Sequence, residues 1–552
     1  MKVAELFVKC LEQQGVQYIF GVPGEENIDF LDALHQSSIQ FIACRDETNA
    51  AFIAGMMGKL TGQPGVCLST LGPGATNMMT GTASAALDRN PLIVITAQTD
   101  VPLQYEGTHQ YINTIEMYRP IVKWNASIES IPVLPKIVAD AFSSALSSPF
   151  GAVHLELPHD VASKQIQESI AALPETQNLK RTMTALDSAF EDAARVIQLA
   201  QRPLVLIGRR ASEEPEISAA VLSFVETLKA PFTETYMAKG VVSGDHPLHL
   251  QTIGLPEGDY VNTAFEIADL IIAIGYDSIE YGAKKWNKAA KPIVHIDLEV
   301  PAKINTCYPI KASLIGDIAG NLQSLTERME QRHEMASVYQ QLKDIITKDL
   351  RKSEESDAYP LVPQRIIKEI REFLSEDDLL VSDVGAHKHW IARQYPAFQA
   401  NTCIFSNGLA SMGVGLPWAI GAKMAFPNKR VLAVCGDGSF NMSLAELETA
   451  VRLELPIVVM IWRDGRYSAI EWEQENKQGR SMGIQFGNPD FVQLATAYGV
   501  KGYKINKATE IGEVLPKAFS EKSPVLIECE VDYTENFRLS ERLGEFKSMF
   551  LR

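Results

Sequence analysis

The chain has 552 residues, of which 46% are hydrophobic and 22% charged, so we expect several domains, because one hydrophobic core rarely serves so long a chain. Its 68 acidic and 51 basic residues give a formal charge of −17, which argues against nucleic acid and membrane surfaces as partners. The apolar runs are too short to cross a bilayer, and the seven cysteines are scattered without a CxxC pair. Since no secretion or transit signal is recognised, we expect a cytoplasmic protein with reduced cysteines.

The first block of the chain alternates short apolar segments with helical ones. Helices are predicted from about residue 27, over 48–60, and between the last two of the predicted strands. Those strands cover 16–20, 39–43, 66–69 and 92–97. Apolar strands separated by helices are typical of βαβ units, which form parallel sheets covered on both faces.

The same alternation recurs in a middle block, about 185–325, and in a last block, about 360–532. The strands predicted in these two blocks are 203–208, 230–234, 270–274, 293–297, 379–382, 431–435, 457–462 and 525–530. Connectors are predicted at 173–184 and over the charged stretch 327–355, the second of them helical and exposed to solvent. We therefore predict an α/β protein of three doubly wound parallel-sheet domains, over 1–170, 185–328 and 356–552.

Two stretches of the chain, 66–78 and one that ends at 435–442, resemble each other. Each has a strand, a Gly-x-Gly turn and an Asn-Met pair, followed by a helix and a strand that begins at a proline. Convergence on a common strand–turn–helix unit explains this similarity, and so does one fold shared by the first and last blocks. Pro73 stands where the later copy has Asp437, so only the later copy can offer a carboxylate.

Small residues and an acid follow the predicted strand 430–435, in the sequence Gly436-Asp437-Gly438-Ser439. Glycines allow a ligand to approach the backbone, and the N-terminus of the following helix, predicted over 444–453, favours a phosphate. Asp437 could hold Mg²⁺ against phosphate oxygens, and Asp464 ends the next strand at the same edge of the sheet. A glycine-capped acidic turn explains Gly-Asp-Gly alone, but the second aspartate favours a site for a metal and a diphosphate.

This pattern resembles the motif of enzymes that use thiamin diphosphate (ThDP), in which Gly-Asp-Gly precedes a pair of asparagines. Here 24 residues separate Gly438 from Arg463-Asp464, which stand at the Asn-Asn positions. The resemblance implies that Asp437, Asp464 and the carbonyl of Arg466 bind Mg²⁺, since aspartate in place of asparagine keeps an oxygen ligand. It also implies that the first and last domains share a ThDP-binding fold and that the middle domain is Rossmann-like. The cofactor contacts implied for this loop are Gly436, Gly438 and Ser439.

Two other segments of the last block match the same family. Gly385-Ala386-His387 resembles a Gly-Gln-His turn that binds the diphosphate, so contacts are implied for Gly385 and His387. Residues 406–417 resemble the stretch that packs against the cofactor. There, Met412 would enforce a V-shaped cofactor conformation and the Ala410 carbonyl would accept a hydrogen bond from the 4′-amino group. Without the resemblance, a lone methionine such as Met412 is most simply a core residue.

Three segments of the first block, 20–24, 45–47 and 72–77, resemble the pyrimidine-binding domain of this family. The cofactor contacts implied there are Pro23, Gly24, Pro73 and Asn77. Glu47 is the implied catalytic residue, which hydrogen-bonds N1′ of the aminopyrimidine and promotes its imino tautomer. A lone glutamate at a helix start is otherwise explained by the helix dipole. Because the resemblance implies that Glu47 reaches a cofactor on a partner subunit, we expect the smallest active unit to be a homodimer. We expect these dimers to pair into a homotetramer.

The resemblance extends almost end to end and is greatest to acetolactate synthases of the FAD-free, catabolic type. The matching segments are 109–110, 117–123, 275–281, 286–287 and 390–393. The FAD-dependent synthases carry a Gly-Ala-Arg-Phe-Asp-Asp-Arg-like segment in place of 275–281, so no FAD is expected. The implied reaction decarboxylates pyruvate and joins the hydroxyethyl carbanion to a second pyruvate, which gives 2-acetolactate and CO₂.

Other functions stay open at this point. ThDP also serves other 2-oxo-acid decarboxylases and acyloin synthases, in which a proton or an aldehyde replaces the second pyruvate as acceptor. A nucleotide-binding regulatory protein is disfavoured, since the middle block has neither a G-x-G-x-x-G at a strand end nor a P-loop.

Several residues have two interpretations. Gln110 is a catalytic candidate that positions the second substrate, or a buried amide whose hydrogen bonds are satisfied within the fold. Tyr467 and Trp472 either line the substrate pocket or only pack. The tail 532–552 either closes over the site as a lid or packs on the surface.

Overall fold

The strands form three parallel sheets in a computed structural model that describes residues 1–166, 183–254, 259–301, 306–331 and 334–539. Within these residues each sheet has six strands and is built from one block of the chain, so we call the three parts the first, middle and last domains. Helices separate the strands throughout, which confirms the predicted α/β class. No helix among the described residues is long and apolar enough to cross a membrane.

The first domain contains six strands and seven α-helices among its described residues. The strands are β1 (Tyr18–Gly21), β2 (Gln40–Ala43), β3 (Gly65–Ser69), β4 (Leu92–Gln98), β5 (Trp124–Ser127) and β6 (Ala152–Pro158). The helices are α1 (Val3–Gln13), α2 (Ile28–His35), α3 (Glu47–Thr61), α4 (Pro73–Leu87), α5 (Thr114–Tyr118), α6 (Leu134–Leu146) and α7 (His159–Ala162). Across the sheet the strand order is β2-β1-β3-β4-β6-β5.

The middle domain also contains a six-stranded sheet. The strands are β7 (Pro203–Ile207), β8 (Phe232–Glu234), β9 (His249–Thr252), β10 (Leu270–Ile274), β11 (Ile293–Asp297) and β12 (Ile310–Ile315). The helices are α8 (Asp187–Leu199), α9 (Pro215–Leu228), α10 (Tyr260–Ile267), α11 (Ala283–Trp286) and α12 (Ile318–Thr326). The order β12-β11-β10-β7-β8-β9 is that of a Rossmann fold, which confirms the prediction for this domain.

The last domain follows helix α13 (Ser337–Leu350). Its strands are β13 (Leu379–Ser382), β14 (Cys403–Phe405), β15 (Val431–Gly436), β16 (Val458–Arg463), β17 (Lys501–Ile505) and β18 (Val525–Glu530). Its helices are α14 (Pro363–Phe373), α15 (Ala386–Gln394), α16 (Gly415–Ala425), α17 (Asp437–Ser443), α18 (Leu447–Arg452), α19 (Ser468–Gln478), α20 (Phe491–Ala497) and α21 (Ile511–Ser520). Short 3₁₀ helices over the described chain lie at Glu25–Asn27, Val101–Tyr105, Ile131–Val133, Arg209–Ser212, Tyr236–Ala238, Leu444–Glu446 and Ala508–Glu510.

The first and last sheets share one topology. The order β14-β13-β15-β16-β18-β17 of the last sheet repeats that of the first sheet strand for strand. The two Gly-x-Gly turns follow β3 and β15, which occupy the same place in their sheets. The similarity therefore extends over whole sheets, and the shared fold explains it better than convergence on one local unit does.

The first and last domains of one chain also share an apolar core. Helix α3 packs against both α4 and α16. Phe52 and Ile53 of α3 belong to the same buried cluster as Trp418 and Ile420 of α16. The carboxyl edges of the two sheets are thus held in a fixed relation within the chain.

The prediction missed strands β5, β6, β9, β12, β14 and β17. All of these except β6 lie at a sheet edge. Strands β5, β12 and β17 contain polar or half-exposed residues that interrupt the apolar pattern, whereas β9 and β14 are largely buried but have only four and three residues. Strand β6 is fully buried, but His154 and Glu156 interrupt its apolar run.

Two predicted helical segments differ from the structure. The helix predicted over 444–453 begins earlier, because α17 starts at Asp437 itself and is followed by a 3₁₀ turn and α18. The stretch 327–355 was expected to be exposed, and this is wrong for α13, which buries Tyr339, Leu342 and Ile346. The predicted connector 173–184 lies mostly outside the described residues.

Candidate functional site

A cavity of about 320 Å³ opens at the carboxyl edge of the last sheet. Loops that follow β13, β14, β15, β16 and β18 contribute to it, as expected for a ligand site of an open α/β sheet. All eleven residues predicted for cofactor and metal binding in the last domain line it: Gly385, His387, Ala410, Met412, Gly436, Asp437, Gly438, Ser439, Asp464, Arg466 and Tyr467. The fold therefore brings together residues that are up to 82 positions apart, between Gly385 and Tyr467.

Asp437 joins the two loops of the predicted metal site. Its side chain is 1% exposed, and Oδ1 accepts a hydrogen bond of 2.8 Å from the backbone N–H of Gly438. Oδ2 accepts from the N–H groups of Asp464 at 3.1 Å and Gly465 at 2.7 Å, and from Asn488 Nδ2 at 2.7 Å. These bonds place the ends of β15 and β16 against each other, as the motif requires.

Asp464 is the second carboxylate of this pair. It accepts hydrogen bonds from the N–H of Arg466 at 3.2 Å and from the Ser468 hydroxyl. Burial raises the pKa of Asp464 to about 7, and the charge of Asp437 acts in the same direction. The buried Asp437 and the half-buried Asp464 form a place where a divalent cation would relieve both desolvation and repulsion.

No cluster of three or more His, Cys, Asp or Glu side chains with metal-binding geometry occurs among the described residues. A metal at this site would therefore depend on Asp437, Asp464, a main-chain carbonyl and oxygens from its ligand. This composition fits Mg²⁺, which binds through one or two carboxylates together with phosphates and keeps part of its water.

His387 offers a polar atom to a ligand, and Gly438 leaves space for one. His387 is 2% exposed, burial lowers its pKa to about 3, and its Nε2 has no hydrogen-bond partner among the described residues. A Cβ added at Gly438 would lie 2.8 Å from Tyr467 Cε1 and 3.0 Å from Phe486 Cζ. An added side chain would therefore have to displace these two rings, whereas glycine leaves the backbone at the start of α17 accessible to a phosphate.

The loop with Ala410 and Met412 is fixed by a residue that the prediction missed. Asp383, fully buried after β13, accepts from the N–H groups of Gly413 and Gly415, both at 2.9 Å. Burial raises the pKa of Asp383 to about 6. Ala410 has a left-handed φ of 56°, and Met412 is half-buried and lines the cavity, so the core interpretation of Met412 is wrong.

The predicted residues of the first domain form a second group. Glu47 begins α3 and is 7% exposed, and its Oε2 accepts a hydrogen bond of 3.1 Å from Asn77 Nδ2 on α4. The start of α3 is capped by Asp46, which accepts from the N–H of Thr48 at 2.7 Å. The fold thus fixes the Glu47 carboxylate beside the exposed N-terminal turn of α4.

The remaining first-domain residues lie at the same edge. Pro23 and Pro73 are exposed, and Gly24 donates its N–H to Asn27 Oδ1 at 3.0 Å. Gln110 is exposed, with φ of 58°, so the alternative of a buried amide is wrong for the chain by itself. It packs on Gly72, where an added Cβ would lie 2.8 Å from Gln110 Cβ.

The two groups are not brought together within one chain. The residues that line the cavity all belong to the last domain, and Glu47 and Gln110 are not among them. The prediction also missed cavity residues that carry no motif signal: Lys388, His389, Trp462, Ser468 and Ile470. Asn407 lies in the recognised stretch 406–417 but was given no role, and Tyr533 belongs to the tail, for which a lid was one alternative. Tyr533 shows that the described start of the tail contributes to the cavity wall, while residues 540–552 lie outside the described residues.

Three family models match the chain in succession. The N-terminal, central and C-terminal domains of thiamine pyrophosphate enzymes match residues 1–117, 190–325 and 383–529. The chain belongs to the thiamine pyrophosphate enzyme family. Thiamine pyrophosphate is ThDP, so the recognised family is confirmed, and the matched ranges lie inside the predicted domains, whose bounds stay predictions.

Members of this family with similar sequences are named acetolactate synthases. The chain is 34% identical over 551 residues to the "Acetolactate synthase" of Bacillus subtilis (strain 168), a match that covers 97% of this chain and 94% of the relative. It is 34% identical over 543 residues to the "Acetolactate synthase, catabolic" of Raoultella terrigena, with 97% and 95% covered. Identity to "Acetolactate synthase isozyme 2 large subunit" of Escherichia coli (strain K12) is 30% over 542 residues, with 97% and 96% covered.

The residues of the cavity fit the cofactor of the thiamine pyrophosphate enzymes. The features that suit a diphosphate with a divalent cation are a buried imidazole nitrogen without a partner among the described residues, a glycine with little room for a side chain, and two aspartates joined by a hydrogen bond. The half-buried Met412 and the left-handed Ala410 line the same cavity and could hold the organic part of the cofactor.

Proposed function

We propose that the protein is an acetolactate synthase, which decarboxylates one pyruvate and joins the remaining two-carbon unit to a second pyruvate, giving 2-acetolactate and CO₂. The observation that carries the proposal is the cavity at the carboxyl edge of the last sheet, lined by the complete predicted set of last-domain residues. Similarity to acetolactate synthases over nearly the whole chain supports this choice within the family. ThDP, when bound, supplies the carbanion chemistry that the protein side chains lack.

Mg²⁺ and the diphosphate would be held by the two loops that Asp437 joins. Asp437, Asp464 and the carbonyl of Arg466 are the proposed metal ligands, since they line one cavity and each aspartate carboxylate accepts a backbone N–H of the next residue in this set. The N-terminus of α17 and the neutral His387 would face the phosphate oxygens, together with Gly385, Gly436, Gly438 and Ser439. These local groups would attract anions to a chain whose net charge of −17 repels them.

The organic part of the cofactor would be oriented by the loop after β14. Met412 would pack against the thiazolium and aminopyrimidine rings, and the Ala410 carbonyl would accept a hydrogen bond from the 4′-amino group. Asp383 holds this loop by two hydrogen bonds, so both groups are placed by the fold before a ligand arrives. Tyr467 would close the side of the cavity next to Gly438.

Glu47 would act on the cofactor of a partner subunit. Its carboxylate would hydrogen-bond N1′ of the aminopyrimidine, while Pro23, Gly24, Pro73 and Asn77 would contact the ring. In the first-domain group Pro23, Pro73 and Asn77 are exposed, and no member lines the cavity of its own chain, which supports a homodimer at least and agrees with a homotetramer. Gln110, exposed beside Gly72 at this edge, would position the second pyruvate.

We also propose that the protein works without FAD and in the cytoplasm. In a Rossmann fold a dinucleotide lies at the switch point, here between β7 and β10. A side chain at Gly208, after β7, would collide with the backbone of Gly275 and Tyr276, so the segment that replaces the FAD-type motif lies directly against the end of β7. The cytoplasmic location is supported by the seven scattered cysteines, none of which lies in a CxxC pair.

Product analysis tests the proposal. Purified protein is incubated with pyruvate, ThDP and Mg²⁺, and the products are identified and quantified, with omission of ThDP or Mg²⁺ as controls. We expect 2-acetolactate and CO₂, a colourless protein, and no product without ThDP. Acetaldehyde as the main product would instead indicate a decarboxylase, and acetoin made only with added acetaldehyde would indicate an acyloin synthase.

A further inference from the structure

Asn407, which lines the cavity, is bonded to all three domains of its own chain. Its backbone N–H donates to Asp88 Oδ1 of the first domain at 3.1 Å, and its Nδ2 donates to the carbonyl of Glu280 in the middle domain at 3.1 Å. Its Oδ1 accepts from Lys388 Nζ, on α15 of the last domain, at 2.7 Å. The loop after β14 therefore meets every domain at one residue.

Asp88 fixes three successive residues of this loop. It is the C-terminal cap residue of α4 and is fully buried. Besides the bond from Asn407, it accepts from the Ser406 hydroxyl at 2.6 Å and from the Gly408 N–H at 2.7 Å. A side chain at Gly408 would collide with the carbonyl of Leu87, so the end of α4 lies directly on the loop backbone.

Lys388 holds the same loop from the last domain. It is 4% exposed, and besides the Asn407 bond its ammonium donates to the carbonyl of Ser406 at 2.7 Å. The loop thus lies between a buried carboxylate and a buried ammonium and is bonded to both. Removal of the Asp88 carboxylate would leave the buried donors of the loop without their acceptor, which is destabilising.

The loop continues directly to the proposed cofactor contacts. Ala410 follows Gly408 by two residues and has φ of 56°, and Met412 follows Ala410 by two. Beyond Met412, Asp383 holds the N–H groups of Gly413 and Gly415. The Asp88–Lys388 pair therefore fixes the entrance of the segment 409–412, and Asp383 fixes its exit.

We propose that Asp88, Lys388 and Asn407 are positioning residues for the cofactor: through them, the first and middle domains of a chain set the shape of the cofactor cavity in the same chain. This inference rests on the proposed function, because it concerns the cofactor named there. It gives the first domain two roles, in which Glu47 serves the partner's cofactor and Asp88 serves the cofactor of its own chain.

Cofactor affinity tests the inference. Asp88→Ala is compared with Ser84→Ala, which removes only the 3.0 Å bond that Ser84 donates to Asp88 within the first domain. ThDP with Mg²⁺ is titrated against intrinsic fluorescence, since Trp462 lines the cavity, and the melting temperature of the cofactor-free protein is measured in parallel. We expect ThDP to bind about tenfold more weakly to Asp88→Ala, as for loss of a buried charged hydrogen-bond acceptor, and within twofold of wild type to Ser84→Ala.

Two milder variants keep the test possible if Asp88→Ala does not fold. Asp88→Asn keeps the side-chain volume, and Asn407→Ser removes the bonds to Lys388 and Glu280 while the backbone bond to Asp88 stays. Both should weaken ThDP binding at temperatures well below their melting points. A lowered melting temperature with unchanged ThDP affinity in every folded variant would show a purely structural role and overturn the inference. Wild-type protein that fails to bind ThDP would instead contradict the proposed function.

Discussion

Asp437 and Glu47 mark the two halves of the proposed site, and the fold holds each carboxylate by its own set of bonds. Asp437 accepts hydrogen bonds from both loops of the metal site, including one from Asn488. Glu47 is held at the start of a capped helix and accepts from Asn77. Their roles differ accordingly, since one would bind the metal and the other would act on the cofactor ring.

Glu47→Gln tests the catalytic role. The amide keeps the size of the side chain but is a poor acceptor for the proton that the ring tautomer requires, so turnover should fall about 100-fold or more. ThDP affinity should stay within a few fold, because the diphosphate site lies in the last domain. The measurement is the rate of 2-acetolactate formation together with a ThDP titration, with the exposed Glu129→Gln as a matched control. Near-normal turnover of Glu47→Gln would contradict the role.

Asp383→Asn tests the support of the Ala410–Met412 loop through pH. Burial places the pKa of Asp383 at about 6, above the ordinary 3.8, so the folded cofactor-free protein binds this proton more tightly than the unfolded chain. Its contribution to stability is therefore largest below about pH 4 and declines as the pH rises to 6. We expect the melting-temperature difference between wild type and Asp383→Asn to shrink from pH 4 to pH 7. A difference that is constant over this range would contradict the assignment.

The elements follow the sequence most closely where they are buried on both faces. The central strands β3, β4, β10, β15 and β16 could be predicted within two residues, since their apolar runs are continuous. The edge strand β14, which leads into the cofactor loop, could not, because its buried run has only three residues.

The same limit applies to the site. The motif residues of the last domain were recognisable because loop chemistry and spacing are local. Asp88, Lys388 and Asp383 act through partners that are distant in sequence, so no local pattern announces them. Asp88 and Asp383 carry one sequence signal, which is a charged residue directly after a buried helix or strand, and Lys388 carries none.

The space for a phosphate at the N-terminus of α17 depends on the absence of a side chain at Gly438. In Gly438→Ala, the new methyl group would press on Tyr467 and Phe486 and narrow the phosphate site. We expect ThDP affinity to fall about tenfold or more, although alanine favours a helix by about 1 kcal/mol over glycine. Gly487→Ala is the matched control, since its added Cβ would meet nothing within 4 Å. Equal ThDP affinity of the two variants would contradict the proposal that the diphosphate binds against Gly438.

The whole molecule is needed for function if each site combines two chains. Within one chain, the shared core of α3 and α16 fixes the first and last domains so that Glu47 lies outside the chain's own cavity. A two-fold dimer would supply the missing half of each site reciprocally. This arrangement predicts that two different inactive variants can restore each other.

Complementation between two inactive variants directly tests whether each active site combines residues of two chains. Glu47→Gln and Asp437→Ala chains are co-expressed, purified together and assayed for 2-acetolactate from pyruvate, next to each variant alone. In a mixed dimer, one site combines the intact Glu47 of one chain with the intact Asp437 of the other. Random pairing makes half of the dimers mixed with one active site each, so the account predicts roughly a quarter of wild-type activity from variants that are each nearly inactive. Activity of the mixture no greater than that of the separate variants would contradict it.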